Sequence, residues 1–182
     1  MKRRHLLTGA TSTALVLLSA GLAGCGTQQI TSYASEKPVL DLSRYLNGIL
    51  DAHGVFTDRS GTVIKRFTVV LQCSWQGNEG VLDEAFTYSD GTRQRRIWRL
   101  TRLADGAYIG RADDVVGVAK GQQSGNSFHW TYTMALPVDG TVYEVQFDDW
   151  MYLVDDQVML NRARMHKFGI HLGDVTLSFR KR

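Results

Sequence analysis

From Gly48 onward the apolar residues recur at every second position, as in Phe67-x-Val69-x-Leu71-x-Cys73-x-Trp75. A period of two puts alternate side chains on opposite faces of a strand. Turn signals break the alternation at Ser60-Gly61, Asp90-Gly91, Asp105-Gly106, Gly125-Asn126, Asp139-Gly140 and Gly173-Asp174. No amphipathic stretch of helical length intervenes, and no long repeat. Leu40 to Leu46 is the one candidate helix, too short to persist without packing. The pattern predicts an all-β antiparallel meander of about 8–10 strands with one short N-terminal helix. Strands this long expose their edges unless the sheet closes, so an up-and-down β-barrel is expected.

Hairpin register tests which face is inside. Taking Asp155-Asp156 as a two-residue loop sets Leu153 against Val158, Met151 against Leu160, Asp149 against Arg162 and Tyr143 against Phe168. A turn over Pro137 to Gly140 sets Met134 against Tyr143, Tyr132 against Val145 and Trp130 against Phe147. Both hairpins then place Tyr143, Val145, Phe147, Met151 and Leu153 on one apolar face, a set that a one-residue slip would turn outward. Ser89-Asp90-Gly91 reads as a three-residue loop, which sets Glu84 against Arg96 and Leu82 against Trp98. Two ion pairs, Glu84 with Arg96 and Asp149 with Arg162, are thus expected to project inward. An unpaired charge there would cost several kcal/mol.

The chain before the strands carries an address. Lys2, Arg3 and Arg4 form a basic segment, and Leu6 to Ala20 an apolar one too short and interrupted to span a bilayer. Leu22-Ala23-Gly24-Cys25 resembles a bacterial lipobox, which marks 1–24 as a lipoprotein signal peptide and Cys25 as the acylated residue. Gly26, where an Asp would resemble an inner-membrane retention signal, favours an outer-membrane anchor facing the periplasm. Arg3-Arg4 resembles a twin-arginine pair, but general secretion is the simpler route. Residues 25–38 read as a flexible tether and 39–182 as the barrel domain. Cys73 is then the sole remaining thiol, placed on the apolar side of its strand and read as core.

Of 21 Lys and Arg, three precede the apolar leader, which leaves 18 against 18 Asp and Glu. A balanced domain argues against nucleic-acid binding. Apolar content of 43% excludes a disordered chain, and two Cys exclude a disulfide-stapled mini-fold. Asp148 and Asp149 point to opposite faces of a strand, so they do not form a catalytic carboxylate pair. Asp113-Asp114 reads as a loop. His53, His129, His166 and His171 lack metal-ligand spacing, and no nucleophile elbow or phosphate loop occurs. No metal and no cofactor are expected, and no protein partner is indicated. Arg93, Arg95 and Arg99 share an outer, solvated strand face near Asp83.

The interior set suggests a ligand site. Arg96 and Arg162 would orient the acidic head of a small amphipathic or anionic guest, while Phe86, Trp98, Trp130, Tyr132 and Phe147 line its apolar part. The same residues, with Glu84 and Asp149, serve equally as a network that fills a packed structural barrel. An enzyme of lipid or pigment metabolism is a third reading, with enzymatic evidence thin.

Asp58-Arg59-Ser60-Gly61, Arg95-Arg96-x-Trp98, Ala112-Asp113-Asp114-Val115-Val116-Gly117, Phe147-Asp148-Asp149-Trp150-Met151-Tyr152-Leu153 and Leu160-Asn161-Arg162 resemble a family of uncharacterised proteobacterial lipoproteins defined as a domain of unknown function. The likeness runs from about Leu40 to the C-terminus. It implies an envelope location and a lipocalin-like (calycin-like) barrel. It carries no activity and no catalytic residues.

Overall fold

The computed structural model describes residues 27–138 and 140–182. The expected signal peptide (1–24) and Cys25 lie outside the described residues, as does Asp139. Ten strands follow in chain order: β1 (Gly48–Asp58), β2 (Val63–Gln76), β3 (Glu79–Tyr88), β4 (Arg93–Arg102), β5 (Tyr108–Arg111), β6 (Val115–Ser124), β7 (Ser127–Val138), β8 (Thr141–Leu153), β9 (Val158–Lys167) and β10 (Ile170–Lys181). Each pairs antiparallel with its sequence neighbours, and β1 pairs with β10 to close the barrel. The expected all-β, lipocalin-like barrel is what the chain forms, and closure removes the sheet edges.

Alternation sets the inner and outer faces. Phe67, Val69, Leu71 and Cys73 of β2 are buried, while Thr68 and Gln72 between them are exposed and Val70 is half-buried. Cys73 is core, and burial pushes its thiol up to about 12. The outer β3–β4 face is solvated as expected, with Arg95 paired to Asp83 at 2.5 Å.

One end of the barrel is plugged. The helix α1 (Leu42–Tyr45) is a single turn capped by Asp41, whose carboxylate accepts from the Arg44 N–H at 3.2 Å. So short a helix depends on its packing. Leu40, Leu42 and Leu46 are buried in the barrel end. The Trp75 indole N–H donates to the Leu46 carbonyl at 2.7 Å, and the Tyr45 hydroxyl donates to the carbonyls of Gln157 and Phe179 at 3.1 Å each. Within the expected tether, a 3-10 turn (Ile30–Tyr33) lies against the same end. There Gln28 donates to the Tyr33 and Tyr152 hydroxyls, and the Tyr33 ring packs on Trp150 and Tyr152.

Three details of register differ from expectation. The β8–β9 loop holds three residues, Asp155, Asp156 and Gln157, because the Val154 N–H donates to the Val158 carbonyl at 2.9 Å. Leu153 therefore faces Met159, Met151 faces Asn161, and Asp149 faces Ala163 rather than Arg162. The β7–β8 turn is tighter than expected, with Val138 opposite Thr141. Trp130 so meets Asp149 and Tyr132 meets Phe147. That shift of two residues keeps the inward face intact. Gly173-Asp174 is not a turn: the β9–β10 hairpin turns at Phe168-Gly169, both with positive φ (51° and 77°). Gly173 sits at a bulge in β10, where a Cβ would collide with the Thr57 carbonyl oxygen.

Candidate functional site

The interior encloses a cavity of about 180 Å³ between the α1 plug and the opposite mouth. Its walls are mostly aromatic and aliphatic, because each strand turns its alternate apolar residues inward. Phe86 of β3, Trp98 of β4, Trp130 and Tyr132 of β7 and Phe147 of β8 all line it, as expected. The Tyr132 ring stacks on Phe147 at 4.9 Å and meets Trp98 edge-on at 5.4 Å, while Trp98 meets Trp130 at 5.7 Å. Room for Trp130 comes from Gly110, where a Cβ would lie 2.7 Å from the indole.

Into this apolar space project Glu84, Arg96 and Asp149. Arg162 does not. The three-residue loop turns it to the outer face, its side chain 57% exposed and 3.6 Å from Asp174. The expected Asp149–Arg162 pair is absent, and Asn161 takes the inward place. Its side-chain amide donates to Asp149 Oδ1 and, at 3.3 Å, to the Trp150 carbonyl. Tyr132 adds a long hydrogen bond to Asp149 Oδ2 at 3.4 Å.

The Glu84–Arg96 pairing holds in register but is the looser of two contacts, Arg96 Nη1 lying 3.8 Å from Glu84 Oε2. The nearer partner is Asp114, from the loop between β5 and β6. Its Oδ2 accepts from Arg96 Nε at 2.9 Å and lies 2.8 Å from Nη2. Nη2 also contacts Met134 Sδ at 3.3 Å, and the guanidinium lies 5.3 Å from the Phe86 ring centre. In sequence Asp114 reads only as part of a loop, and Asn161 carries no site signal. Strand periodicity carries no information about a loop side chain that folds back over a neighbouring strand. A neutral amide gives no charge signal.

The electrostatics follow from burial. Removal from water pushes Glu84 up to about 7. Arg96 opposes this, while Asp114, Asp149 and Asp83 add to it. Burial likewise raises Asp149 to about 7 against the hydrogen bonds from Asn161 and Tyr132. The Tyr132 phenol lies well above its ordinary range, from burial and the nearby Asp149. Burial alone would lower Arg96, but Glu84 and Asp114 outweigh it and keep the guanidinium charged.

Among the described residues, three buried polar side-chain atoms lack a hydrogen-bond partner: Glu84 Oε2, His171 Nε2 and Asp174 Oδ1. Of these residues only Glu84 lines the cavity. No group of acids, His or Cys among the described residues could hold a metal ion. His129 lies on the outer wall, 2.7 Å from Asp148 and stacked on Trp150 at 4.2 Å.

Solved structures share the barrel. A protein of unknown function of the DUF3598 family from Nostoc punctiforme PCC 73102 aligns with TM-score 0.56 and 12% identity, over 81% of this chain and 51% of its own. The present chain thus spans about half the length of that protein. An S-type phycobiliprotein lyase from Guillardia theta aligns with TM-score 0.58 and 8% identity, over 85% of this chain and 99% of its own. At these identities the likeness is one of fold. No curated protein matches the sequence. The chain belongs to the family described as Protein of unknown function (DUF3833), which matches it over residues 19–181.

Proposed function

We propose that this protein is a non-enzymatic binding lipoprotein of the bacterial envelope. Cys25 anchors it by a lipid to the outer membrane, and the barrel holds a small amphipathic ligand facing the periplasm. The observation that carries the binding role is the cavity of about 180 Å³, walled by aromatic rings and furnished with a few convergent polar groups. An apolar cavity of about 150 Å³ accommodates a benzene-sized guest, so the enclosed part of the ligand is of that order, not a whole lipid chain. An acidic head group is disfavoured, because Arg162 faces solvent and Arg96 is held by Asp114. The packed structural barrel is the competing reading. It draws on the same volume, which lies below the roughly 300–1,000 Å³ of sites for drug-sized molecules.

Titration with hexan-1-ol, read by the fluorescence of Trp98 and Trp130, tests occupancy. Saturable binding that weakens when Ala163→Leu fills the cavity wall supports the binding role. No binding to the folded, delipidated protein leaves the structural barrel. Anchoring has its own test: a fatty-acid analogue supplied to growing cells should label the wild-type protein and not Cys25→Ser.

A further inference from the structure

We propose that the polar end of the ligand is a nitrogen hydrogen-bond donor, a protonated amine, received by Glu84 with Asp149 as the second acceptor. This rests on the binding role above and names its ligand class.

The inference begins with an unfilled acceptor. Glu84 Oε2 is buried, belongs to a cavity-lining residue and accepts no hydrogen bond. Buried polar atoms are almost always paired, with protein, water or ligand, so this oxygen awaits a donor. Arg96 comes no closer to it than 3.8 Å, through Nη1, while its Nε and Nη2 are bound to Asp114 at 2.9 Å and 2.8 Å. The charge balance points the same way. One guanidinium stands against three carboxyls, Glu84 and Asp149 on the cavity wall and Asp114 bound to Arg96. An anionic guest would add to that excess, whereas a cation offsets it. The surrounding rings favour the same sign, since Phe86, Trp98 and Tyr132 can offer negative ring faces to an ammonium group. Asn161 already serves Asp149 Oδ1, and the tyrosine hydrogen bond to Oδ2 is long at 3.4 Å, which leaves Oδ2 open to a better donor.

The arrangement also sets a pH dependence. The groups around Glu84 are Cys73 from β2, Asp83 and Tyr88 from β3, Arg96 from β4, Asp114 from the β5–β6 loop, Tyr132 from β7 and Asp149 from β8. Cys73 and Tyr132 stay protonated at neutral pH, since burial raises both, and Arg96 stays charged. With Glu84 at about 7, the empty site holds a proton below neutrality, which an incoming ammonium displaces. Amine affinity should therefore rise with pH through neutrality, while that of a neutral guest stays level.

The experiment compares hexylamine, hexan-1-ol and hexanoate on the folded full chain at about pH 8, by tryptophan fluorescence and calorimetry. Hexylamine should bind at least about tenfold more tightly than the alcohol, because a charge-assisted hydrogen bond replaces a neutral one. Hexanoate should bind most weakly. Glu84→Gln and Asp149→Asn, with folding checked by near-ultraviolet circular dichroism, should erase the preference for amine over alcohol. Arg162→Ala, on the outer wall, should leave the preference intact. If the alcohol binds but the amine holds no advantage, or hexanoate binds best, this inference fails and the binding role stands. If none of the three binds, both fail.

Discussion

The hairpins β3–β4 and β8–β9 look alike in sequence and differ in outcome. Each carries an acid on its inner face, and each offers an arginine across the strand pair. In the first hairpin the pair forms, Glu84 opposite Arg96. In the second, Arg162 stands outside and Asn161 inside. Both loops hold three residues, but they announce this differently. Ser89-Asp90-Gly91 ends in a glycine at φ 83°, the mark of a three-residue loop with a left-handed third residue. Asp155-Asp156-Gln157 has no glycine. The Asp155 carboxylate holds the turn by accepting from the Gln157 and Val158 N–H groups, at 2.8 Å each. One residue of loop length reverses every side chain of β9. The comparison teaches that an ion pair chosen to support a register is only as good as the loop count beneath it.

The sharpest way to break the contrast is to remove the inner arginine. Arg96→Ala strands Glu84 and Asp114 in a partly buried site and should cost about 3–5 kcal/mol, comparable with a large share of a domain's stability. Urea denaturation followed by tryptophan fluorescence measures it. Near-neutral behaviour would mean that the interior is water-filled and the acids need no cation.

A second test uses pH, because the two interior acids work against the usual acid response. Each has a folded value of about 7, above the ordinary 4.5 of Glu and 3.8 of Asp. The folded chain thus binds more protons than the unfolded one between those limits, so stability rises as pH falls from about 7 towards 4. The change from pH 8 to pH 5 should be on the order of 2–3 kcal/mol for each acid. Surface carboxylates that hydrogen bonds hold below their ordinary range, Asp83 and Asp90 among them, oppose it only at lower pH. The double variant Glu84→Gln, Asp149→Asn should flatten the profile. A wild-type Tm that falls on acidification to pH 5 would contradict the burial of both groups.

What was legible in the sequence had a period or a turn residue to announce it. Phe67 to Cys73 alternates over one strand, and Gly91 fixes the loop that brings Glu84 to Arg96. The inward aromatic set survived an error of two residues in the β7–β8 turn because a shift of two preserves the face. What was hidden depends on tertiary closure. Asp114 reaches Arg96 from a loop, and Trp75 reaches Leu46 across the end of the barrel. Gly173 reads as a turn in sequence, yet it marks a bulge where the Thr57 backbone comes close. Asn161 stands one residue from Arg162, and a neutral amide carries no charge to mark it against the inner Asp149 that it serves.

The smallest effect is expected outside the barrel, and it isolates the loop count. Arg162 is 57% exposed and stands 3.6 Å from Asp174, whose side chain is 15% exposed. With one partner in solvent and no hydrogen bond between them, the pair gains little Coulomb energy and is screened by salt, so Arg162→Ala should cost about 1 kcal/mol. The loss should shrink further in about 1 M salt, where the screening length is about 3 Å. Asp149→Asn should cost the same with or without Arg162, since the two side chains point to opposite faces. Had Arg162 faced Asp149 inside, its removal would rival Arg96→Ala and the two substitutions would couple strongly. A double-mutant cycle on Asp149 and Arg162 therefore reads the length of the β8–β9 loop in solution: no coupling means three residues, strong coupling means two.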